Sequence, residues 1–169
     1  MPKSITKRQH AVKLKQADIS DEAQVLTTEG EAFINLVARI FQLNGLLLAA
    51  GDALAEPSGQ TNARWRILSE ICTDPMTVVQ IAKAWGLARQ SVQRVADILV
   101  DEGLAEYKQN PRHRRSQLLA LTSTGRKKLE IIQAAQRIWA SSMGERIGET
   151  DLRQANTILS QVLEVVAKG

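Results

Sequence analysis

Leu87-Ala88-Arg89-Gln90-Ser91-Val92-Gln93-Arg94-Val95-Ala96-Asp97 is the stretch whose reading decides the fold. Val92, Val95, Ala96 and Leu99 fall at i, i+3, i+4 and i+7, the buried stripe of an amphipathic helix. Arg89, Gln90, Gln93 and Arg94 lie off that stripe, in the first two turns. On the N-terminal side, Gly86-Leu87 reads as a tight turn. Before it, Val78–Trp85 reads as a short helix with Thr77 as its N-cap. Short helix, glycine turn and second helix make the helix-turn-helix layout. On the C-terminal side, the second helix runs over 89–102 and stops at Gly103, a left-handed C-cap. Residues 104–109 and 116–121 then read as two short strands around the turn Asn110-Pro111-Arg112-His113-Arg114-Arg115.

The residues off the stripe carry chemistry suited to duplex DNA. Arginine can bond guanine O6 and N7 as a fork, and glutamine can do the same for adenine N6 and N7. No carboxylate precedes Asp97 on this helix to repel phosphates. From Lys108 to Lys128 there are seven Lys and Arg residues and no acid. Arg112, Arg114 and Arg115 sit in the turn, where they can reach phosphates or an adjacent minor groove. One of the three can instead hold the loop through backbone carbonyls. Pro111 stiffens the loop. Ser91 either contacts DNA or supports the helix start. Thr77 caps its helix, and a capped helix N-terminus can also receive a phosphate. The plain alternative for Arg89, Gln90, Gln93 and Arg94 is a solvated polar face. The adjoining basic wing weighs against it.

Long helices flank this lobe. Thr28-Glu29-Gly30-Glu31 reads as a capping box. Phe33, Leu36, Val37, Ile40, Phe41, Leu43, Leu47 and Leu48 follow at helical spacing to about Leu54, and Pro57-Ser58-Gly59 stops the helix. Thr61 caps a second helix with Trp65, Leu68, Ile71 and Cys72 on its core face, ended by Asp74-Pro75. Thr122 caps a long fifth helix that Gly144 and Gly148 interrupt, and Thr150 starts a sixth. The fold class expected is mainly α, a winged helix-turn-helix lobe with a two-stranded wing between long terminal helices. The expected divisions are an arm over 1–27, a dimerisation helix over 28–56, the lobe over 60–122 and dimerisation helices over 123–169. The outer helices are apolar enough that a twofold dimer is expected. Trp65 and Trp85 are expected to fill the lobe core and Trp139 the dimer region.

The 169 residues are 44% hydrophobic and 24% charged, ordinary for a globular protein with a real core. The net charge of +4 favours a polyanionic partner. The basic arm, with Lys3, Lys7, Arg8, Lys13 and Lys15, either touches phosphates or is a solvated tail. No apolar run reads as long enough to span a bilayer, and no membrane partner is expected. The N-terminal stretch lacks the apolar segment of a secretory signal, and Cys72 is the single cysteine, so a cytoplasmic location is expected. Cys72 reads as an inert packed thiol or, alternatively, an oxidant sensor. His10 and His113 are the only histidines. No metal site, cofactor loop or catalytic set is legible, so an enzyme is not expected.

Residues 87–97, then Glu102-Gly103-Leu104, the arginine wing and Leu121-Thr122-Ser123-Thr124-Gly125 together resemble the MarR family of transcriptional regulators. The resemblance covers 60–126 well. It implies a homodimer paired through the first, fifth and sixth helices, one winged-helix lobe per subunit, and release of DNA on binding a small, often phenolic, ligand. A repressor is the implied role. By the same analogy Phe41, Trp65 and Arg66 would line a ligand pocket. The wing departs from the family's frequent Asp-Arg-Arg, reading His113-Arg114-Arg115, and Ala88 stands where Ser or Thr would cap better. Two rival functions remain: a non-specific architectural DNA binder, and a winged-helix protein-interaction module.

Overall fold

The computed structural model describes residues 25–111, 113 and 115–168. The elements run α1 Thr28–Ala55, a single 3-10 turn Glu56–Ser58, α2 Asn62–Glu70, α3 Val78–Trp85, α4 Arg89–Asp101, β1 Ala105–Lys108, β2 Leu118–Leu121, α5 Ser123–Ile147 and α6 Glu149–Lys168. The fold is mainly helical with one small antiparallel sheet, as the periodicity requires.

The chain divides into two compact units, one from Phe41 to Ala140 and one made of the segments before and after it. The divisions therefore fall inside α1 and α5 rather than at their ends. The central unit holds the helix-turn-helix and its core. Ile67 and Leu68 of α2, Ile81 of α3, Val92, Ala96 and Leu99 of α4, and Leu119 of β2 form its buried cluster, with Leu129 of α5. The stripe on α4 is buried as its spacing demands. Val95 is only partly covered.

Local chemistry sets the element ends. Thr77 Oγ1 accepts from the Gln80 amide (3.2 Å), and Gln80 Oε1 accepts from the Thr77 amide (2.8 Å). This reciprocal box satisfies two of the donors a helix start leaves free. Gly86 then turns the chain at φ 62°, a conformation that side chains rarely adopt, and α4 starts three residues later. Ala88 offers no side-chain cap. Gly103 ends α4 at φ 68°.

The wing pairs Ala105 with Leu121 and Tyr107 with Leu119. Met76, in the α2–α3 link, exchanges both backbone bonds with Leu119 (3.1 and 2.8 Å), adding a one-residue bridge that the sequence did not announce. The strands are shorter than expected because the chain leaves the ladder at Gln109 and enters it at Leu118. At the start of α5, Thr122 Oγ1 donates to the Gly103 carbonyl (2.8 Å) and accepts from the Gly125 amide (3.0 Å). Gly125 lies against the Leu104 carbonyl so closely that a Cβ there would collide with it.

Four local expectations need correction. The cap of α1 is Thr27, not Thr28: Thr27 Oγ1 accepts from the Gly30 amide (3.0 Å). The two threonines are adjacent, and the first takes the cap. Gly144 does not interrupt α5; only Gly148, at φ 94°, breaks the chain there, and α6 starts at Glu149, not Thr150. Trp85 is 41% exposed and does not fill the core.

The long helices keep large apolar areas uncovered. Among α1 residues only Gly51 and Ala55 are buried, and α6 has no buried residue. Residues Thr28–Ser58 are also long and apolar enough to cross a membrane, with a window of mean hydropathy 1.5. This corrects the expectation that no apolar run is long enough to span a bilayer: isolated polar residues punctuate a mostly apolar helix and hide its length. A helix that buries a stripe against a partner has the same composition.

Candidate nucleic-acid interface

The first turns of α4 place the polar residues as their spacing dictates. Arg89, Gln90, Gln93 and Arg94, with Asp97 one turn further, line an open depression of about 510 Å³ on the outer face of the helix. Arg89, Gln90 and Arg94 are exposed and Gln93 is half-buried. Neither arginine has an ion pair among the described residues. Both charges are therefore available to an outside anion.

Gln93 is held. Its Nε2 donates to Asp97 Oδ1 (2.8 Å) and to the Tyr107 hydroxyl (2.8 Å), and that hydroxyl donates to Asp97 Oδ1 (2.7 Å). Burial first, then the bond to and the charge of Asp97, push the Tyr107 pKa up from 10.0 to about 12, against the opposing bond from Gln93. The phenol therefore keeps its proton at any ordinary pH. Sequence reading missed this link. The Gln93–Asp97 spacing of one helical turn was visible, but Tyr107 reaches them only because β1 folds back along α4.

Ser91 lies on a different face. It lines a smaller cavity of about 190 Å³ with Arg66, Ile67, Ile81, Trp85, Leu87 and Val92 among its walls. Here the Arg66 guanidinium stacks on Trp85, 3.8 Å from the ring centroid. Burial pushes the Arg66 pKa down from its ordinary value, and the carboxylate of Glu70 partly opposes that shift. Arg66 Nε is buried without a hydrogen-bond partner among the described residues, as is Trp65 Nε1. Of the three residues expected at a ligand pocket, only Arg66 lines this cavity. Trp65 packs against the core cluster, and Phe41 is 72% exposed. The structure does not bring those three side chains together there.

Thr77 is buried, and its hydroxyl is committed to the capping box, donating to Gln80 Oε1 (2.9 Å). It has no hydrogen left for a phosphate. The residues beside it line a broad cleft of about 750 Å³ between the α3 start and the wing, with Asn110, Pro111 and His113 opposite. Arg115 is exposed in the wing turn, while Arg112 and Arg114 lie outside the described residues, as does the arm before residue 25. Two other members of the basic run are occupied. Lys108 pairs with Glu106 (3.0 Å), and Arg126 Nη2 donates to the Cys72 carbonyl (3.1 Å). Cys72 itself is half-buried. Among the described residues no cluster of His, Cys, Asp or Glu is arranged to hold a metal ion.

Comparison with known proteins gives this geometry a family. The MarR family profile matches residues 58–116, the helix-turn-helix and most of the wing turn. The uncharacterized protein Rv2011c of Mycobacterium tuberculosis is 39% identical over 128 residues, covering 76% of this chain and 90% of its own. BadR of Rhodopseudomonas palustris, a transcriptional activatory protein, is 24% identical over 135 residues, covering 78% of this chain and 76% of its own. Among solved structures, a MarR family transcription regulator superposes with a TM-score of 0.74 at 23% identity, over 85% of this chain and 95% of the other. A mutant MarR from E. coli complexed with operator DNA superposes with a TM-score of 0.71 at 23% identity, over 78% and 96%. CouR from Rhodococcus jostii RHA1, bound to p-coumaroyl-CoA, gives 0.63 at 21%, over 73% and 87%. With the family profile on its helix-turn-helix lobe and MarR-family folds superposing on most of its length, this chain belongs to the MarR family of winged-helix transcription regulators, not to a family of enzymes.

Proposed function

We propose that the protein is a homodimeric, cytoplasmic regulator that binds a pseudo-palindromic duplex site and represses by occupancy. The observation that carries this reading is the outer face of α4. Two arginines without ion partners among the described residues and two glutamines stand in the first two turns, where a recognition helix meets base edges. Arg89 and Arg94 serve as guanine readers, and Gln90 and Gln93 read amino-bearing bases. Arg112, Arg114 and Arg115 contact phosphates or the flanking minor groove. Ser91, facing the cavity, and Thr77, holding the cap, support α4 and α3 rather than touch bases. The apolar faces of α1 and α6 bury against a second copy, which sets the two α4 helices about one DNA turn (~34–36 Å) apart.

A small aromatic acid is the proposed releasing ligand, seated beside Arg66 and Trp85. An apolar cavity of about 150 Å³ takes a benzene ring, so this one suffices for a single ring. The ligand-bound CouR structure supports a ligand-responsive reading. BadR is a transcriptional activatory protein, which favours activation as the second reading of the sign of regulation.

Selection of bound duplexes from a random pool at near-physiological salt tests the proposal. An inverted repeat with half-sites one turn apart is the expected result. Enrichment with steep salt dependence and no motif makes the protein an architectural binder. Retention of no DNA transfers the lobe to protein interaction.

A further inference from the structure

We infer that Tyr107 of the wing is a positioning residue: it holds Asp97 away from Arg94 and so leaves the Arg94 guanidinium unpaired for DNA. The use of that charge rests on the proposed seating of α4 in a major groove, whereas the pairing itself can be read without DNA. Arg94 and Asp97 stand three positions apart on α4 and line the same open depression. Opposite charges at that spacing share one face of a helix and can pair. Here they do not. Arg94 has no ion pair among the described residues. Asp97 Oδ1 is taken instead by the Tyr107 hydroxyl, which donates at 2.7 Å, and by Gln93 Nε2 at 2.8 Å.

Of the two donors, the phenol is the one that comes from outside the helix. Gln93 is on α4 itself, one turn from Asp97, and moves with it. Tyr107 stands on β1, paired in register with Leu119, and its half-buried ring packs on the core. Its oxygen is therefore fixed by the lobe. A hydrogen bond to a carboxylate is stronger than one between neutral groups. An exposed ion pair at this spacing is a weak rival. One well-placed donor then decides which way the carboxylate turns. Without it, Asp97 is free to pair with Arg94, and that pair must break before the guanidinium can fork onto guanine. Arg89 has no acid three or four positions away on either side and needs no such guard.

The test is a set of mobility-shift titrations of the full-length protein on the selected palindrome. Tyr107→Phe is measured alone and combined in turn with Asp97→Asn, Arg94→Ala and Arg89→Ala, each against the matching single variant and each checked for native circular dichroism. Tyr107→Phe keeps the ring on the core and removes only the hydroxyl. It should lower affinity by about fourfold or more, roughly twofold for each of two lobes. That loss should fall below about twofold in the Asp97→Asn and Arg94→Ala backgrounds and persist beside Arg89→Ala. A hydroxyl that only docks the wing costs the same in every background, and that result overturns the inference. So does wild-type affinity in Tyr107→Phe. A crystal structure of Tyr107→Phe reads the pairing without DNA. Arg94 within about 4 Å of the Asp97 carboxylate is the expected result, and Arg94 still unpaired there overturns the inference. A wild type that recovers no motif removes the DNA-reading proposal, and the crystal structure then decides the pairing by itself.

Discussion

At the scale of single residues, charge and hydrogen-bond accounting yields sharp expectations. Arg94 has no ion partner among the described residues, so Arg94→Ala removes no internal contact of that kind. Its cost should appear in DNA binding alone, about 1–3 kcal/mol if it forks onto guanine. A mobility-shift titration against single-base variants of the selected site would locate the relaxed position. A uniform loss across all variants would make it a phosphate contact instead. Tyr107 offers a test independent of DNA. It is the only tyrosine in the chain, so phenolate absorbance reports it alone. The folded group titrates near 12 rather than 10.0. The folded state therefore holds its proton longer than the unfolded state does. The stability this confers is complete below pH 10 and is lost as pH rises through 12. A half-point near 10 in the native protein would show that Tyr107 is neither sheltered from water nor bonded to Asp97. Gly125 is the third case. A Cβ added there would run into the Leu104 carbonyl, and Gly125→Ala should destabilise by about 1–3 kcal/mol as the wing is forced off α5. Denaturant midpoints would measure that.

At the scale of elements, the capping box on α3 shows what sequence reading can and cannot reach. Thr77 and Gln80 announce a helix start three residues apart, and the structure closes both bonds. Thr77→Ala should cost about 1 kcal/mol, lowering the melting temperature by roughly 2–4 °C. If the hydroxyl only caps, DNA affinity measured well below that melting temperature stays within twofold. A larger loss would give Thr77 a contact on the DNA side. Periodicity reached α1 to α6 and the wing because each has one face to bury, and that requirement is written in every third or fourth residue. It failed where two candidates were adjacent, as with Thr27 and Thr28, and where a glycine could be tolerated, as at Gly144. It could not see partners brought together across the fold. Tyr107 on Gln93, Arg126 on the Cys72 carbonyl and Met76 on Leu119 are separated by 14, 54 and 43 positions. No local pattern encodes such pairs. The four polar positions on α4 were legible, since helical geometry alone sends them outward. Which of their hydrogen-bonding atoms remain free was not. Trp85 was misplaced because an aromatic residue at a helix end reads as core, whereas here one face carries the Arg66 guanidinium.

At the scale of the whole molecule, the uncovered helices decide how the lobe can act. On α6, Leu163 and Val165 are each 70% exposed and Val166 is 59% exposed, a poor outcome for a lone chain in water. The proposed dimer covers this face and the apolar length of α1. A helix whose apolar length is covered by a second copy has the same composition as the membrane-span match over Thr28–Ser58. Leu163→Glu combined with Val166→Glu places two carboxylates per subunit on that face. Sedimentation should then shift from twice the chain mass to the chain mass of 18.6 kDa. Because α4 and its core lie in the other unit, the variant lobe should stay folded by circular dichroism. Affinity for a full palindrome should fall to that for a half-site, and the dependence of log affinity on log salt should lose about half its slope, since half the phosphate contacts are gone. A double variant that remains dimeric would move the interface away from α6. A monomer that still prefers the full palindrome would show that the two lobes need no fixed spacing, and repression by a rigid paired fit would then be the wrong mechanism for this chain.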